Sequence, residues 1–286
     1  MAKETTRREK NMLKDVSFGF IGSGAMATAM IAGLTKQKLI DPKKVTTSDP
    51  YPGQLEKLAG RYKVNTTANN LETIQDKDII ILSIKPQSLD EVAAELRGHI
   101  HADALVLSII AGATIEGISR ELHHYRVVRV MPNTPARVGK GMSVWTATED
   151  VSDTQRNYAK AILSALGEEI FVEHEDYLDM ATALSGTGPA YVFMFMEAMI
   201  DAGVHMGFSR RVAEQLVYQT IEGSLAFARD SKRHPVELRN MVTSPGGTTA
   251  DAIYQLEKGG FRTVLSKAIW AAYTKSRQLG GAENND

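Results

Sequence analysis

The sequence predicts an α/β chain: a doubly wound domain with a mainly parallel sheet, followed by an all-helical domain. Three observations carry that reading. From Val16 to about Phe171, short apolar runs rich in β-branched residues alternate with amphipathic helical patterns, which is how βαβ units read. Two of the runs, DIIILSI and ALVLSII, are apolar on both faces, as interior parallel strands are. After about His174 the strand signals stop and helical periodicity continues. With the acidic stretch FVEHEDYLD as the switch, the expected division is a polar leader at 1–14, a first domain at 15–173 and a helical domain at 174–286.

The elements follow in order. The opening MAKETTRREKNMLKD is charged and lacks an apolar central region, so it does not read as a secretory signal and is expected to be a disordered leader. The strand runs are VSFGFIG (16–22), KVTTSD (44–49), DIIILSI (78–84), ALVLSII (104–110), YRVVRVMPN (125–133) and MSVWTA (142–147). Helical patterns cover 177–206, 209–229, 235–243 and 249–279. In the first of these, AYVFMFMEAMIDAGVHMG is apolar nearly all round, and a helix without a wet face belongs in a core or between subunits.

Composition narrows the function. The 286 residues are 43% hydrophobic, enough for one large or two ordinary domains. Lys plus Arg is 33 against 34 for Asp plus Glu, so there is no basic footprint for nucleic acid or an anionic membrane. The chain has no cysteine, which excludes disulfides, cysteine-ligated zinc and a thiol nucleophile. His123-His124 lacks a third ligand at metal spacing, so it reads as a solvated pair and no metal is expected. No apolar run reaches spanning length, and a cytoplasmic protein is the expectation.

The first chemical motif is Gly22-x-Gly24-x-x-Ala27, directly after the first strand and opening a helix. Gly22 allows the tight turn, Gly24 lets the backbone approach a pyrophosphate, and Ala27 lets helix lie close on strand. The helix N-terminus then faces the phosphates. This is the dinucleotide fingerprint of a Rossmann-type domain, in the context that gives it meaning. Asp49, at the end of the second strand, can accept from the 2′-OH of an adenosine ribose and would repel a 2′-phosphate, which leans towards NADH. A turn-forming aspartate before Pro50 is the other reading of the same residue. A second glycine-rich turn, SPGGTT at 244–249, also runs into a helix but has no P-loop lysine.

These motifs, with SIKPQ (83–87), SIIAGATI (108–115), RVMPNTPA (129–136), ALSGTGPAYVF (183–193) and VTSPGGTTADAIYQLEKGGFR (242–262), resemble Δ1-pyrroline-5-carboxylate reductase, the enzyme of the last step of proline synthesis. The resemblance covers nearly everything after residue 15. It implies a C-terminal dimerisation domain, dimers often assembled into decamers, and NADPH or NADH as cofactor. By matching position, it implies cofactor contacts at Gly22, Gly24, Ala25 and Met26. It implies them also at Asn70, Lys85 and Pro86, Ala111 and Gly112, and Asn133 near the nicotinamide. It implies a substrate-side acid at Glu175 and a substrate-carboxylate loop at Ser244, Gly246, Gly247, Thr248 and Thr249. Glu175-Asp176 as a favourable helix start remains the alternative for that acid. Two departures stand out. Asp251 puts a negative charge near the anion loop, and Asp49 leans to NADH where many relatives prefer NADPH.

The chemistry implied is hydride transfer to the C=N carbon of a cyclic imine, with Thr249 as the hydrogen-bond donor to its nitrogen. Two rivals remain open. A β-hydroxyacid dehydrogenase needs a lysine base in the first long helix of the second domain, and residues 185–206 contain none. A non-catalytic dinucleotide sensor would keep the first loop but has no use for SPGGTT.

Overall fold

The computed structural model describes residues 12–281. Eight strands are present among them: β1 (Phe18–Ile21), β2 (Val45–Ser48), β3 (Asn65–Thr67), β4 (Ile79–Leu82), β5 (Leu105–Ser108), β6 (Val127–Met131), β7 (Gly141–Ala147) and β8 (Gly167–Phe171). They form one sheet in the order β3-β2-β1-β4-β5-β6-β7-β8. Neighbours are parallel except β6 and β7. The first six reproduce the doubly wound order 3-2-1-4-5-6, with the switch point between β1 and β4.

Strand composition explains the layering. Every residue of β1, β2, β4 and β5 is buried. Phe18, Phe20, Ile79, Ile81, Leu105 and Leu107 face one core with Met30, Ile31 and Leu34 of helix α1 (Ala25–Lys36). The alternate residues Ile21, Ile80, Leu82 and Val106 face the other, as the two-residue period of a strand requires. That second core is closed by Ala93 and Leu96 of a helix at Leu89–Leu96 and by Ile118 and Leu122 of a helix at Ile115–Leu122. In chain order the helices of this unit are α1, α2 (Pro52–Tyr62), α3 (Asn70–Ile74), α4 (Leu89–Leu96), α5 (Ile115–Leu122), α6 (Asp153–Ser164) and α7 (Tyr177–Ala181). The two strands absent from the sequence reading, NTT of β3 and GEEIF of β8, are the sheet edges. Edge strands carry polar and charged residues, so they lack the apolar signature of the interior ones.

Contacts divide the chain into two units, one running to Thr187 and resuming at Ala272, the other spanning Gly188–Ala271. The sequence reading drew the division at 173–174. Residues of α7 lie with the sheet because Leu178 and Ala181 pack on Val144 and Met131. Of the expected leader, residues 1–11 lie outside the described residues. Leu13 is fully buried among the first-core residues, so the leader boundary at 14 is too late.

The second unit holds α8 (Gly188–His205), α9 (Arg210–Ser231), α10 (Pro235–Met241), α11 (Thr248–Lys258) and the first part of α12 (Phe261–Leu279). Two helices expected to be continuous are broken. A π turn at Thr182–Gly186 separates α7 from α8, and Gly259-Gly260, with φ of +70° at Gly260, separates α11 from α12. Helix α8 is not the core of this chain. Only Ile200 and Gly203 are buried in it, while Phe193 and Met194 are 60% and 74% exposed. No helix among the described residues is long and apolar enough to cross a membrane.

His124 corrects the expected solvated pair. His123 is exposed with φ of +52°, but His124 is buried and its Nε2 lies 2.8 Å from the Ala104 carbonyl oxygen. Burial pushes its pKa below the ordinary imidazole value, partly opposed by that hydrogen bond, and Arg126 lowers it further. A depressed pKa contributes stability that is present above the unfolded value, about 6.5, and is lost as pH falls below it. The melting temperature is therefore expected to fall on acidification from pH 7 to 5, and His124→Gln should flatten that part of the profile. An unchanged slope in the variant would show that other groups set it.

Candidate active site

The carboxyl ends of β1, β2, β4, β5 and β6 carry most of the sequence-predicted residues. Gly22 closes β1 with φ of +92°, and a Cβ there would meet the Ser83 carbonyl oxygen at 2.8 Å. Both the turn and the approach of the loop after β4 thus require glycine. Ser83 fastens the junction. Its N–H donates to the Ile21 oxygen, and its hydroxyl reaches the oxygens of Ile21 and Gly22 at 3.0 and 2.8 Å.

Gly24 is different. A Cβ there would meet no protein atom within 4 Å, so packing does not demand glycine at this point. It is the cap residue of α1, with no side-chain cap and no acidic residue in the first turn that Ala25 and Met26 begin. Ala27 is fully buried against the sheet. An uncapped helix start beside a side-chain-free cap residue fits a dinucleotide pyrophosphate.

Asp49 has partners that the motif alone did not show. Its Oδ2 accepts from the N–H and hydroxyl of the fully buried Ser23 at 2.9 and 2.8 Å, and its Oδ1 accepts from Tyr51 N–H at 3.0 Å. It therefore braces the glycine loop from β2. A carboxylate oxygen has two lone pairs, so Oδ1 keeps one for a ribose hydroxyl. Asn70 lies under the same strand end, accepting from the Ser48 hydroxyl and donating to Glu95, both at 2.7 Å. Lys85 and Pro86 are exposed just beyond β4.

Past β5, Ala111 is half-buried and Gly112 has φ of +75°. A Cβ on Gly112 would strike Leu279 of α12 at 2.8 Å, so the closing helix accounts for this glycine. Asn133 spends both ends of its amide inside the fold, accepting from Met142 N–H at 2.8 Å and donating to the Ser185 oxygen at 3.0 Å. It ties the turn after β6 to the π turn, where Gly186 lies against Met131.

Glu175, expected on the substrate side, has different company. Its Oε1 accepts from Arg129 Nη1 at 2.6 Å and from the Ile115 N–H that opens α5 at 2.7 Å. Arg129 is buried in β6, and Asp179 Oδ1 lies 3.8 Å from its Nη2 while accepting from Ser276 of α12 at 2.6 Å. A buried guanidinium stripped of its carboxylate costs about 3–5 kcal/mol, so this pair is a fixture of the fold. Ser23, Arg129, Asp179 and Ser276 were missed in the sequence. Arg129 left a legible trace: a charge inside the apolar run VVRVM requires a buried partner.

The second unit presents the other predicted loop. Gly247 N–H donates to the Ser244 oxygen at 3.1 Å across Pro245 and Gly246, whose φ is +71°. Proline second and a left-handed glycine third are the marks of a type II turn. A Cβ on Gly247 would strike Ser244 Oγ at 2.5 Å. Gly247 caps α11 without a side-chain bond. Thr248 and Ser244 are exposed, and Thr249 is half-buried in the first turn. Asp251 is exposed in that same turn, where its charge complements the helix dipole.

A doubly wound sheet with a glycine loop at its switch point, followed by a helical unit with an anion-type turn, defines a dinucleotide-binding protein of the two-unit reductase class. The family model for pyrroline-5-carboxylate reductase dimerisation matches residues 175–279, and that for NADP oxidoreductase, coenzyme F420-dependent, matches 17–112. The chain is 38% identical to a Synechocystis sp. pyrroline-5-carboxylate reductase, over 93% of this chain and 98% of the relative. It is 39% identical to that of Pseudomonas aeruginosa, over 91% and 95%. The solved pyrroline carboxylate reductase of Plasmodium falciparum with NADP bound superimposes with a TM-score of 0.87 at 32% identity, covering 94% of this chain and 99% of that one. The chain belongs to the pyrroline-5-carboxylate reductase family.

Proposed function

We propose that this chain reduces the C=N bond of 1-pyrroline-5-carboxylate to give L-proline, using NADPH or NADH. The observation that carries the proposal is the pairing in one chain of a dinucleotide loop at the switch point with the SPGGTT turn, in a family whose members bear that activity's name. The lysine base of the rival dehydrogenase is absent from residues 185–206, and a sensor has no use for the second turn.

The bound cofactor supplies hydride at its reduced nicotinamide. The protein orients and polarises. Gly22, Gly24, Ala25, Met26 and Ala27 hold the pyrophosphate, and Asp49 accepts from the adenosine ribose. Lys85, Pro86, Ala111, Gly112 and Asn133 belong to the half of the sheet that serves the nicotinamide. Ser244, Gly246, Gly247, Thr248 and Thr249 hold the substrate carboxylate through backbone N–H groups and hydroxyls at the start of α11. A singly charged carboxylate needs no lysine there. Thr249 donates a hydrogen bond to the imine nitrogen, and water supplies the proton, because a neutral threonine is too weak an acid to give one.

The protein acts in the cytoplasm as a homodimer or a larger homo-oligomer, up to a decamer. The exposed Val192, Phe193, Met194, Tyr218 and Trp270 of the helical unit support an assembly, since an apolar surface of this extent is normally covered.

Two outcomes test the reading by absorbance at the reduced-nicotinamide band with pyrroline-5-carboxylate. Thr249→Ala is expected to lower kcat/KM for the imine by at least about tenfold, and a near-normal value would remove Thr249 from the mechanism. Asp49→Ser is expected to weaken NADH and raise the NADPH:NADH ratio of kcat/KM. An unchanged ratio would mean that Asp49 only braces Ser23. Failure of the wild type to consume either cofactor would overturn the activity itself.

A further inference from the structure

We infer that Glu175 is a positioning residue for the nicotinamide half of the cofactor site, acting through the loop between β5 and α5 and through the end of β6, and that it does not touch the substrate. The inference rests on the dinucleotide reading given above.

In a doubly wound sheet, ligands lie beyond the carboxyl ends of the strands, one mononucleotide on each half. Asp49, just past β2, marks the adenosine half in the proposed function, so the loops after β4, β5 and β6 serve the other. Glu175 Oε1 holds the helix that follows one of these loops and the strand that leads into another. It takes the N–H of Ile115, the first residue of α5 after the 109–114 loop, at 2.7 Å. It takes Arg129, two residues before Met131 at the close of β6, at 2.6 Å.

The loop is held at its start, where Ile109 N–H donates to the Leu82 oxygen at 3.0 Å and Ile110 is buried in the second core. Its internal bonds are long, Ile110 N–H to Ser108 Oγ at 3.3 Å and Ala113 N–H to the Ile110 oxygen at 3.4 Å. From the far side Leu279 fills the space beside Gly112, and Asp179 holds Ser276 one turn earlier in the same helix. The carboxylate pair Glu175 and Asp179 therefore sets the height of the loop over the sheet from both sides. A carboxylate already bonded to Arg129 and a backbone N–H is poorly placed to be the acid that meets an imine.

Binding measurements separate this role from a substrate contact and from general damage. Calorimetric titration of Glu175→Gln with NADH is expected to show a Kd raised about tenfold, the scale on which a displaced positioning group is felt. ADP-ribose lacks the nicotinamide and should bind within about twofold of wild type by the same reasoning. Glu175→Asp keeps the charge that Arg129 needs while shortening the reach to Ile115, and should show the same split.

Equal weakening of both ligands would mean a purely structural role and overturn the proposal. So would unchanged NADH binding with a raised imine KM, which would return Glu175 to the substrate side. Wild-type protein gives an independent reading by hydrogen exchange: the Ile115 amide should be strongly protected without any ligand, and fast exchange there would also overturn it. The calorimetric and exchange readings need no turnover, so a failed imine assay and a failed positioning role are told apart.

Discussion

The constraint on which the rest of the structure depends is the placing of one charged side chain inside the sheet. Arg129 sits in β6, within an otherwise apolar strand. A guanidinium in that position cannot shed its charge, so the fold must bring carboxylates to it. Glu175 and Asp179 do so from the first residues after the sheet ends. Once there, Glu175 also caps α5 and Asp179 also holds the last helix. One desolvated charge thereby links α7, α5 and the end of α12 to a single strand.

The glycine loop obeys a second constraint, steric where the first is electrostatic. Gly22 is required by the protein, because both its φ and its distance from Ser83 exclude a side chain. Gly24 is not required by anything in the protein within reach of a Cβ. The contrast gives the motif its functional reading. A chain that keeps glycine where packing does not ask for it leaves its backbone open to something else, and the uncapped start of α1 suits the pyrophosphate of the proposed function. Asp49 adds stiffness, since its bonds to Ser23 make the loop and the end of β2 one rigid piece.

Much of this was legible in the sequence, and the particulars show why. The interior strands announced themselves because burial on both faces forces continuous apolar runs. The glycine loop and the SPGGTT turn announced themselves because positive φ forces glycine at Gly22 and Gly246. What stayed hidden depended on partners distant in sequence. Glu175 reads equally well as a helix-start acid or a substrate acid until Arg129, 46 residues away, is seen beside it. Nothing near Gly112 in the sequence announces that Leu279 packs against it. His124 reads as solvated until the Ala104 carbonyl meets its ring. The edge strands β3 and β8 were hidden for the opposite reason, because their composition suits solvent and their pairing comes only from the neighbouring strand.

In the proposed function the two anions go to two different loops, one in each unit. Hydrogen exchange of the wild-type protein with one ligand at a time tests that assignment most directly. NADH is predicted to protect the amides around Gly22–Ala27 and leave 244–251 unchanged. L-proline is predicted to protect Gly247–Asp251 and leave the first loop unchanged. Protection of the first loop by L-proline, or none at 244–251, would contradict the division of labour on which the mechanism stands.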